Sequence, residues 1–391
     1  VLFPNIRDSA EFAAWLPTAR GKFVLFLSPE PTCRPDENWK EFASPEAFDR
    51  LRKERSAARE AWIRRIRRSG LRGRQILERL ADAGALGTLT PLWSGGWGAD
   101  KTGSAATEKI PELALSCEDY GLVFRLAERN QGPVLRVNAN AEFLGEVPVS
   151  NVIAELRGSE KPNEYVVLSA HFDSWDAASG ATDNGSATVM MMEAMRILKA
   201  VYPKPRRTIL AAHWSGEEQG LNGSRAFAAD HPEVISGLQA LFNQDNGTGR
   251  VERISMQGFT GAGAFFRRWL SAIPSGIGGG ITLVDPGAPS GGGTDHASFV
   301  CHGAPAFSLA SRSWDYFTYT WHTNRDTFDK LVFEDLRNNA MLVAMLAYLA
   351  SEDPSRMPRE ARATAANAQT RQSAPWPTCT APARSSAEST R

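Results

Sequence analysis

The sequence predicts an α/β fold with a mostly parallel, mixed sheet flanked by helices, joined to a smaller β-rich accessory domain. From Val147 onward, short apolar runs alternate with helical patterns, which is typical of a parallel sheet covered by helices on both faces. Before that point the pattern differs, so a separate unit is expected. We therefore place an accessory region at residues 1–146, a main domain at 147–352 and a flexible tail, rich in Ala, Ser, Thr, Pro and Arg, at 353–391.

Length and charge exclude several classes of protein. The chain has 391 residues, 42% of them hydrophobic, and its 44 basic and 44 acidic side chains give zero net charge. A protein that neutralises nucleic-acid phosphates would usually be basic, so nucleic acid is not an expected partner. No apolar run reaches the ~18 residues of a membrane-spanning helix, so no membrane span is expected. Residues 1–4 do not resemble a secretory signal, and we expect the native chain to begin before Val1.

The cysteines are far apart in the sequence and form no C-x-x-C pair. They are Cys33, Cys117, Cys301 and Cys379. This spacing predicts neither a structural zinc knuckle nor a dense disulfide framework, and it leaves the redox compartment open.

The elements of the accessory region are predicted from short patterns. Strands are expected at 22–27, 84–89 and 134–137, and a helical pattern runs from Pro45 to Leu80. The helical stretch contains an arginine cluster at 64–68. A basic amphipathic helix can bind an anionic membrane or nucleic acid, but the neutral chain favours a solvated helix face over a small core.

The main domain shows the alternating pattern more clearly. Strands are predicted at 165–170, 208–212, 238–242, 281–284 and 306–309. Helices are predicted at 186–201 and 333–349. In such sheets, ligands bind beyond the carboxyl ends of the strands.

Side chains that can bind metals follow these strand ends or open the next helix. They are His171, Asp183, Glu218, Asp245 and, in an aromatic loop before the last helix, His322. Each residue alone has an ordinary explanation as a cap, a surface charge or a packed side chain. Together, two His, two Asp and one Glu at successive edges of one sheet suit a divalent cation, zinc first, with cobalt or manganese as substitutes.

The combined motif resembles the co-catalytic zinc exopeptidase family, which includes bacterial zinc aminopeptidases and the plasma glutamate carboxypeptidase (carboxypeptidase Q) branch. The resemblance rests on 171–173, 183–185, 216–221, Asp245 and His322 and covers roughly 147–352. The stretches 171–176 and 319–322 are most similar to the carboxypeptidase branch. Less closely, the preceding region resembles a protease-associated domain.

The resemblance implies roles for seven residues. Asp183 would bridge two zinc ions, with His171 and Asp245 completing one site and Glu218 and His322 the other. Glu217 would be the general base. Asp173 would accept a hydrogen bond from the second ring nitrogen of His171 and so fix its tautomer. The family also implies short peptide substrates, allows a homodimer, and points to a secreted or periplasmic location.

Other polar and aromatic residues keep two interpretations. Compact aminopeptidases have a tyrosine before a Ser-Asp-His motif, whereas here 290–294 is Ser-Gly-Gly-Gly-Thr. Either the backbone N–H groups of this glycine run replace the tyrosine in holding the oxyanion, or the run is a mobile loop. We expect Asp295 and His296 to brace the site rather than bind metal. The aromatic residues of 314–321 either line a substrate pocket or pack within the loop. His213, His231 and His302 have plain structural interpretations.

These observations predict a di-zinc exopeptidase that hydrolyses dipeptides or removes terminal residues from short peptides. A single-zinc glutaminyl cyclase and a receptor-like relative on the same fold are two alternatives, and a binding module built on the accessory domain stays open as a second activity. The first would not need both His171 and Asp245 beside Glu218 and His322, and the second would lack ligands that are all present here.

Overall fold

The computed structural model describes residues 1–359 and 375–384. It divides the chain into two compact units. The first comprises Val1–Gly145 together with Phe317–Arg325, and the second comprises Glu146–Tyr316 together with Asp326–Arg391.

The first unit, in which every residue is described, has a small parallel sheet and several helices. Its strands pair in the order β1-β2-β3. They are β1 (Phe23–Leu25), β2 (Gly87–Thr90) and β3 (Glu112–Ala114). Its helices are α1 (Ser9–Trp15), α2 (Asp36–Phe42), α3 (Pro45–Arg68), α4 (Gly73–Asp82) and α5 (Cys117–Glu128).

This unit differs from the sequence prediction in two respects. It is richer in helix than in strand, because the predicted helical stretch forms the long helices α3 and α4. The strand expected at 134–137 is irregular and largely exposed, with Val134 95% exposed, since no neighbouring strand pairs with it. A disulfide joins Cys33 to Cys117 and so ties the chain before α2 to the start of α5.

The second unit is built on a seven-stranded mixed sheet with the order β4-β6-β5-β7-β10-β8-β9. Its strands are β4 (Val152–Leu156), β5 (Lys161–His171), β6 (Arg207–Trp214), β7 (Leu238–Asn243), β8 (Val251–Ser255), β9 (Thr282–Val284) and β10 (Ala306–Ser311). Strands β6, β5, β7 and β10 are parallel, whereas β4 pairs antiparallel to β6 and β8 pairs antiparallel to β10; β9 runs parallel to β8. The predicted mostly parallel, mixed sheet is confirmed.

Helices cover both faces of this sheet. They are α6 (Ser186–Val201), α7 (Asn222–Asp230), α8 (Pro232–Gly237), α9 (Ala262–Ala272), α10 (Ser275–Gly278), α11 (Ala297–Val300) and α12 (Phe333–Glu352). Alternate residues of β5 point to opposite faces, so Val166 and Leu168 join the core under α6, α9 and α12, while Val167 joins the core under α7, α8 and α11. Burial of β5 on both faces explains its continuous apolar run.

A buried arginine connects the sheet to the end of the last helix. Arg207, at the start of β6, is fully buried, and its Nε donates to Glu164 at 2.6 Å. Its Nη1 donates to the carbonyl oxygens of Ala350, Ser351 and Asp353, at 3.2, 2.8 and 2.6 Å. These carbonyls at the C-terminal end of α12 have no partner within the helix, so the guanidinium satisfies them.

Part of the segment predicted as a flexible tail is attached to the second unit. Residues 360–374 and 385–391 lie outside the described residues, but 375–384 are described. A disulfide joins Cys379 to Cys301, and the Trp376 indole donates to the carbonyl oxygen of Val300 at 2.8 Å while its ring packs on Phe259. A covalent bond and a packed indole therefore hold these residues, although their composition predicted a flexible chain.

Candidate metal centre

Three parallel neighbouring strands bring the predicted residues to one edge of the sheet. His171 is the last residue of β5, Glu217 and Glu218 follow the end of β6, and Asp245 follows the end of β7. Because β6, β5 and β7 are adjacent and parallel, their carboxyl ends meet. Asp183 lies in the turn before α6, which begins at the same edge.

His171, Asp183 and Asp245 form one compact cluster of possible ligands. The Nε2 atom of His171 lies 3.4 Å from a carboxylate oxygen of Asp183 and 3.2 Å from one of Asp245. One ligand atom from each of the three residues lies within 4.8 Å of the others. Burial alone would lower the pKa of His171, but the carboxylates of Asp245, Asp173 and Asp183 outweigh it and raise this pKa well above its ordinary value. The cluster thus has an excess of negative charge, which a cation would neutralise.

Glu217 and Glu218 lie beside the same histidine, with one donor atom of each within 4.8 Å of His171 and of one another. Glu217 is buried. Burial, and then the negative charge of Asp245, raise the pKa of Glu217 to about 10. Burial among carboxylates favours the protonated form of Glu217, so its ionisation needs positive charge nearby.

Asp173 makes contacts other than the predicted one. The Nδ1 atom of His171 lies 3.0 Å from the backbone carbonyl oxygen of Asp173, whereas the carboxylate is 3.6 Å away and too distant for a hydrogen bond. The carboxylate instead accepts the backbone N–H groups of Glu217 and Glu218, each at 3.2 Å. Asp173 therefore fixes the histidine through its main chain and the two glutamates through its side chain.

Asp326 holds the backbone of Asp183 and was not found by sequence reasoning. Its two carboxylate oxygens accept the N–H groups of Thr182 at 2.6 Å and Asp183 at 2.9 Å. Asp326 is buried, and burial raises its pKa despite these hydrogen bonds. The Asn184 side chain donates to the carbonyl oxygen of Gln244 at 3.0 Å, which connects the Asp183 turn to the residue before Asp245.

Tyr316 belongs to the aromatic residues of 314–321, for which the sequence left pocket lining and loop packing open, and it contacts a candidate ligand. It is buried, it packs over Gly247, and its hydroxyl forms a hydrogen bond with Asp183. Burial and the charges of Asp183 and Asp245 raise the pKa of this hydroxyl well above its ordinary value, so it stays protonated and donates. At this position the aromatic loop packs against the site.

A buried chain of hydrogen bonds crosses the sheet just below the candidate ligands. The Trp214 indole donates to Ser169 at 2.8 Å, Ser169 donates to Asn243 at 2.7 Å, and Asn243 donates to Thr294 at 2.9 Å. Ser169 and Asn243 each precede a ligand candidate by two residues. These hydrogen bonds therefore link β6, β5 and β7 next to the candidate ligands and attach the glycine-rich loop before Asp295 to them.

The remaining predicted residues have different surroundings. His322 lies in Phe317–Arg325, which packs with the first unit, and its ligand role stays a prediction. Asp295 and His296 are buried, and burial lowers the pKa of His296 to about 4. His213 is buried in β6, and His231 pairs with Glu233 on the surface.

A buried set of imidazole and carboxylate groups at the carboxyl edge of a mixed α/β sheet suits a divalent cation and defines a metallopeptidase-type site. A comparison with known families supports this assignment. The chain belongs to peptidase family M28, whose model matches residues 151–347.

Individual relatives agree with the family. The chain is 29% identical over 251 residues to carboxypeptidase Q of Rattus norvegicus. The aligned residues cover 64% of this chain and 52% of that protein. The chain therefore spans about half the length of this curated relative. It is 26% identical to the crystal structure of a peptidase M28 precursor from Shewanella amazonensis, with a TM-score of 0.59 over 73% of this chain and 64% of that one.

A zinc aminopeptidase of Bacillus subtilis shares the fold. It is 21% identical, with a TM-score of 0.51 over 72% of this chain and 68% of its own. Among the described residues, no helix is long and apolar enough to cross a membrane.

Proposed function

We propose that this chain is a zinc-dependent exopeptidase that hydrolyses dipeptides or removes terminal residues from short peptides. The observation that carries the proposal is the convergence of His171, Asp183 and Asp245 with Glu217 and Glu218 at one sheet edge. Membership of peptidase family M28 and likeness to proteins named as a carboxypeptidase and a zinc aminopeptidase support it.

The donor set fits two zinc ions that share one carboxylate. His171 and Asp245 would hold one ion, Glu218 and His322 the other, and Asp183 would bind both; cobalt or manganese could substitute. When bound, two such ions would supply positive charge that lowers the pKa of a shared water to about 7 and stabilises an oxyanion.

The chain's own residues would provide the proton transfers. Glu217 would accept a proton from the attacking water and deliver it to the amine that leaves when the peptide bond breaks. Asp173 supports this role, because its carboxylate holds the N–H groups of Glu217 and Glu218 and so fixes the backbone from which both side chains project. One glutamate can then serve as a ligand while the other faces the water.

The two disulfides are relevant to the cellular compartment in which the protein is found. Cys33–Cys117 and Cys301–Cys379 involve all four cysteines of the chain. Disulfides persist in oxidising environments, so we place the protein outside the reducing cytosol, in agreement with the secreted or periplasmic location implied by the family. Non-reducing peptide mapping of protein from its native source would show both linked pairs, and free thiols at these positions would contradict this placement.

A peptide panel with metal analysis tests the function. Leu- and Ala-containing dipeptides would be offered with free ends, with a blocked amine or with a blocked carboxylate, and zinc per chain would be measured on the same sample. We expect cleavage of the free dipeptide, two zinc ions per chain, and loss of cleavage when one of the two ends is blocked. If one blocked end abolishes cleavage, that end identifies an aminopeptidase or a carboxypeptidase; if either blocked end abolishes it, the enzyme is a dipeptidase.

Two controls make the test specific. Glu217→Gln should keep the metal but lose cleavage, which excludes a contaminating peptidase. Casein tests the restriction to ends of chains. Internal fragments that appear before any terminal residue would show an endopeptidase and contradict the proposal.

A further inference from the structure

We propose that the loop formed by residues 91–102 of the first unit positions His322 and is thereby a working part of the metal centre. The proposal rests on the proposed function, since it concerns the ligand assigned to the second zinc ion. It assigns residues 91–102 a role in holding His322, which lies in the same compact unit.

Backbone pairing holds the chain on both sides of His322. The N–H of Thr102 donates to the carbonyl oxygen of His322 at 2.8 Å, and Lys101 forms an antiparallel bridge with Thr323. Asn324 donates its N–H to the carbonyl oxygen of Asp100, and the N–H of Asp100 donates to the side-chain oxygen of Asn324, both at 3.0 Å. Residues 100–102 thus pair with residues 322–324 as a short antiparallel strand would.

Side-chain contacts extend this attachment to the neighbouring residues. The Lys101 ammonium lies 3.4 Å from the centre of the Trp321 ring, and that ring lies 4.3 Å from the ring of His322. Farther out, Ser94 donates to the carbonyl oxygen of Thr318 at 2.5 Å, and Arg325 donates to that of Gly98 at 3.0 Å. The Trp321 ring is therefore held by a cation–π contact, and it limits the rotation of the imidazole beside it.

The backbone of His322 requires such support. Its φ is 57°, in the left-handed region that non-glycine residues seldom adopt. A conformation of this kind persists where the surroundings impose it. Three hydrogen bonds and one bridge join the 91–102 loop to residues 322–324, so this loop supports the conformation.

A glycine allows the loop to approach this closely. A Cβ added at Gly96 would lie 2.6 Å from the Tyr319 ring and 2.8 Å from the carbonyl oxygen of Thr318, distances that force the two segments apart. Gly103, one residue past the loop, has open space around the corresponding position. Gly96→Ala and Gly103→Ala are therefore a matched pair in which the same methyl group either disturbs or spares the contact.

Zinc binding to the metal-free protein tests the proposal. Stepwise dissociation constants would be measured by competition with a chromophoric chelator for the wild type, Gly96→Ala and Gly103→Ala. We expect two ions in the wild type and in Gly103→Ala. In Gly96→Ala we expect an unchanged tighter constant and a weaker constant raised about 10–100-fold, the usual cost of removing support from a metal ligand. Excess zinc should then restore turnover in Gly96→Ala.

The outcomes distinguish failure of the positioning role from failure of the proposed di-zinc function. Fewer than two zinc ions on the wild type would refute the di-zinc function, and the positioning role with it. The positioning role alone would be refuted if the wild type binds two zinc ions and Gly96→Ala either leaves both dissociation constants unchanged or raises both equally.

A second variant covers the case in which Gly96→Ala does not fold. Ser94→Ala combined with Asn324→Ala removes two hydrogen bonds without adding a clash. We expect the same selective weakening of one zinc site by at least about 10-fold. Unchanged zinc constants in this double variant would overturn the proposal.

Discussion

Replacement of Asp326 by Asn tests how the backbone of Asp183, the proposed bridging ligand, is held. Asp326 accepts the N–H groups of Thr182 and Asp183 with its two carboxylate oxygens, at 2.6 and 2.9 Å. An amide side chain has the same shape, but it can accept one of these hydrogen bonds and must direct its NH₂ group at the other donor. Asp326→Asn therefore removes one hydrogen bond and leaves a buried backbone N–H without an acceptor.

Two effects of opposite sign set the change in stability. A hydrogen bond to a charged group contributes about 1.5–3 kcal/mol, and that contribution is lost. Burial raises the pKa of Asp326, which shows that its charged form is penalised in the fold, and the neutral amide relieves this penalty. We therefore expect the free energy of unfolding of the metal-free variant to fall by about 1–2 kcal/mol. The zinc dissociation constants should rise by a larger factor, about 10–100-fold, because the Asp183 backbone loses its support.

Urea unfolding of the metal-free protein and zinc competition titrations would measure the two effects separately. Asp329→Asn is the matched control. Asp329 lies three residues after Asp326, and its carboxylate is exposed and pairs with Lys330. We expect no measurable change in that control. A zinc affinity in Asp326→Asn within twofold of the wild type would refute the positioning argument, even if stability falls as expected.

Three further predictions follow from the site and its surroundings. Glu217→Gln should keep its zinc and lose turnover by about 10²–10⁴-fold, measured as kcat together with metal content, and loss of a metal would instead identify Glu217 as a ligand. Asp183→Ala should lose both ions and most activity, and two tightly bound ions in that variant would contradict the bridging role. His296, whose pKa burial lowers to about 4, stays neutral in the fold while the unfolded chain takes up a proton below pH 6.5. Stability should therefore fall as the pH drops from 6.5 to 4, and His296→Phe should flatten this fall in urea unfolding measured at both pH values.

The second unit was predictable because its strands are buried on both faces. The continuous apolar runs of β5, β6 and β7 identify them without ambiguity, and the helix predicted at 186–201 coincides with α6. Once three adjacent strands are parallel, the residues after their carboxyl ends meet by geometry. The convergence of His171 with Glu218 and Asp245 followed from that rule, whereas Asp183 joins them from the turn before α6.

Contacts between distant segments could not be predicted in the same way. Nothing local marks Asp326 as the acceptor for Thr182 and Asp183, because 143 residues separate it from Asp183 and no periodic pattern connects them. The pairing of Cys301 with Cys379 is equally invisible, since widely spaced cysteines allow several pairings. For 134–137, β-propensity predicted a strand, but a strand also needs a neighbour, which a propensity cannot supply.

The burial of Arg207 has a consequence for synthesis on the ribosome. Its guanidinium reaches carbonyl groups 143 to 146 residues later in the chain. At roughly 5–20 residues per second, translation needs about 7–30 s to supply them after Arg207 itself has been made. Throughout that interval Glu164 is the one of these acceptors that the guanidinium already has. We therefore expect the domain to complete its fold after its last helix is made, and a chain that terminates before Ala350 should be recovered unfolded or degraded.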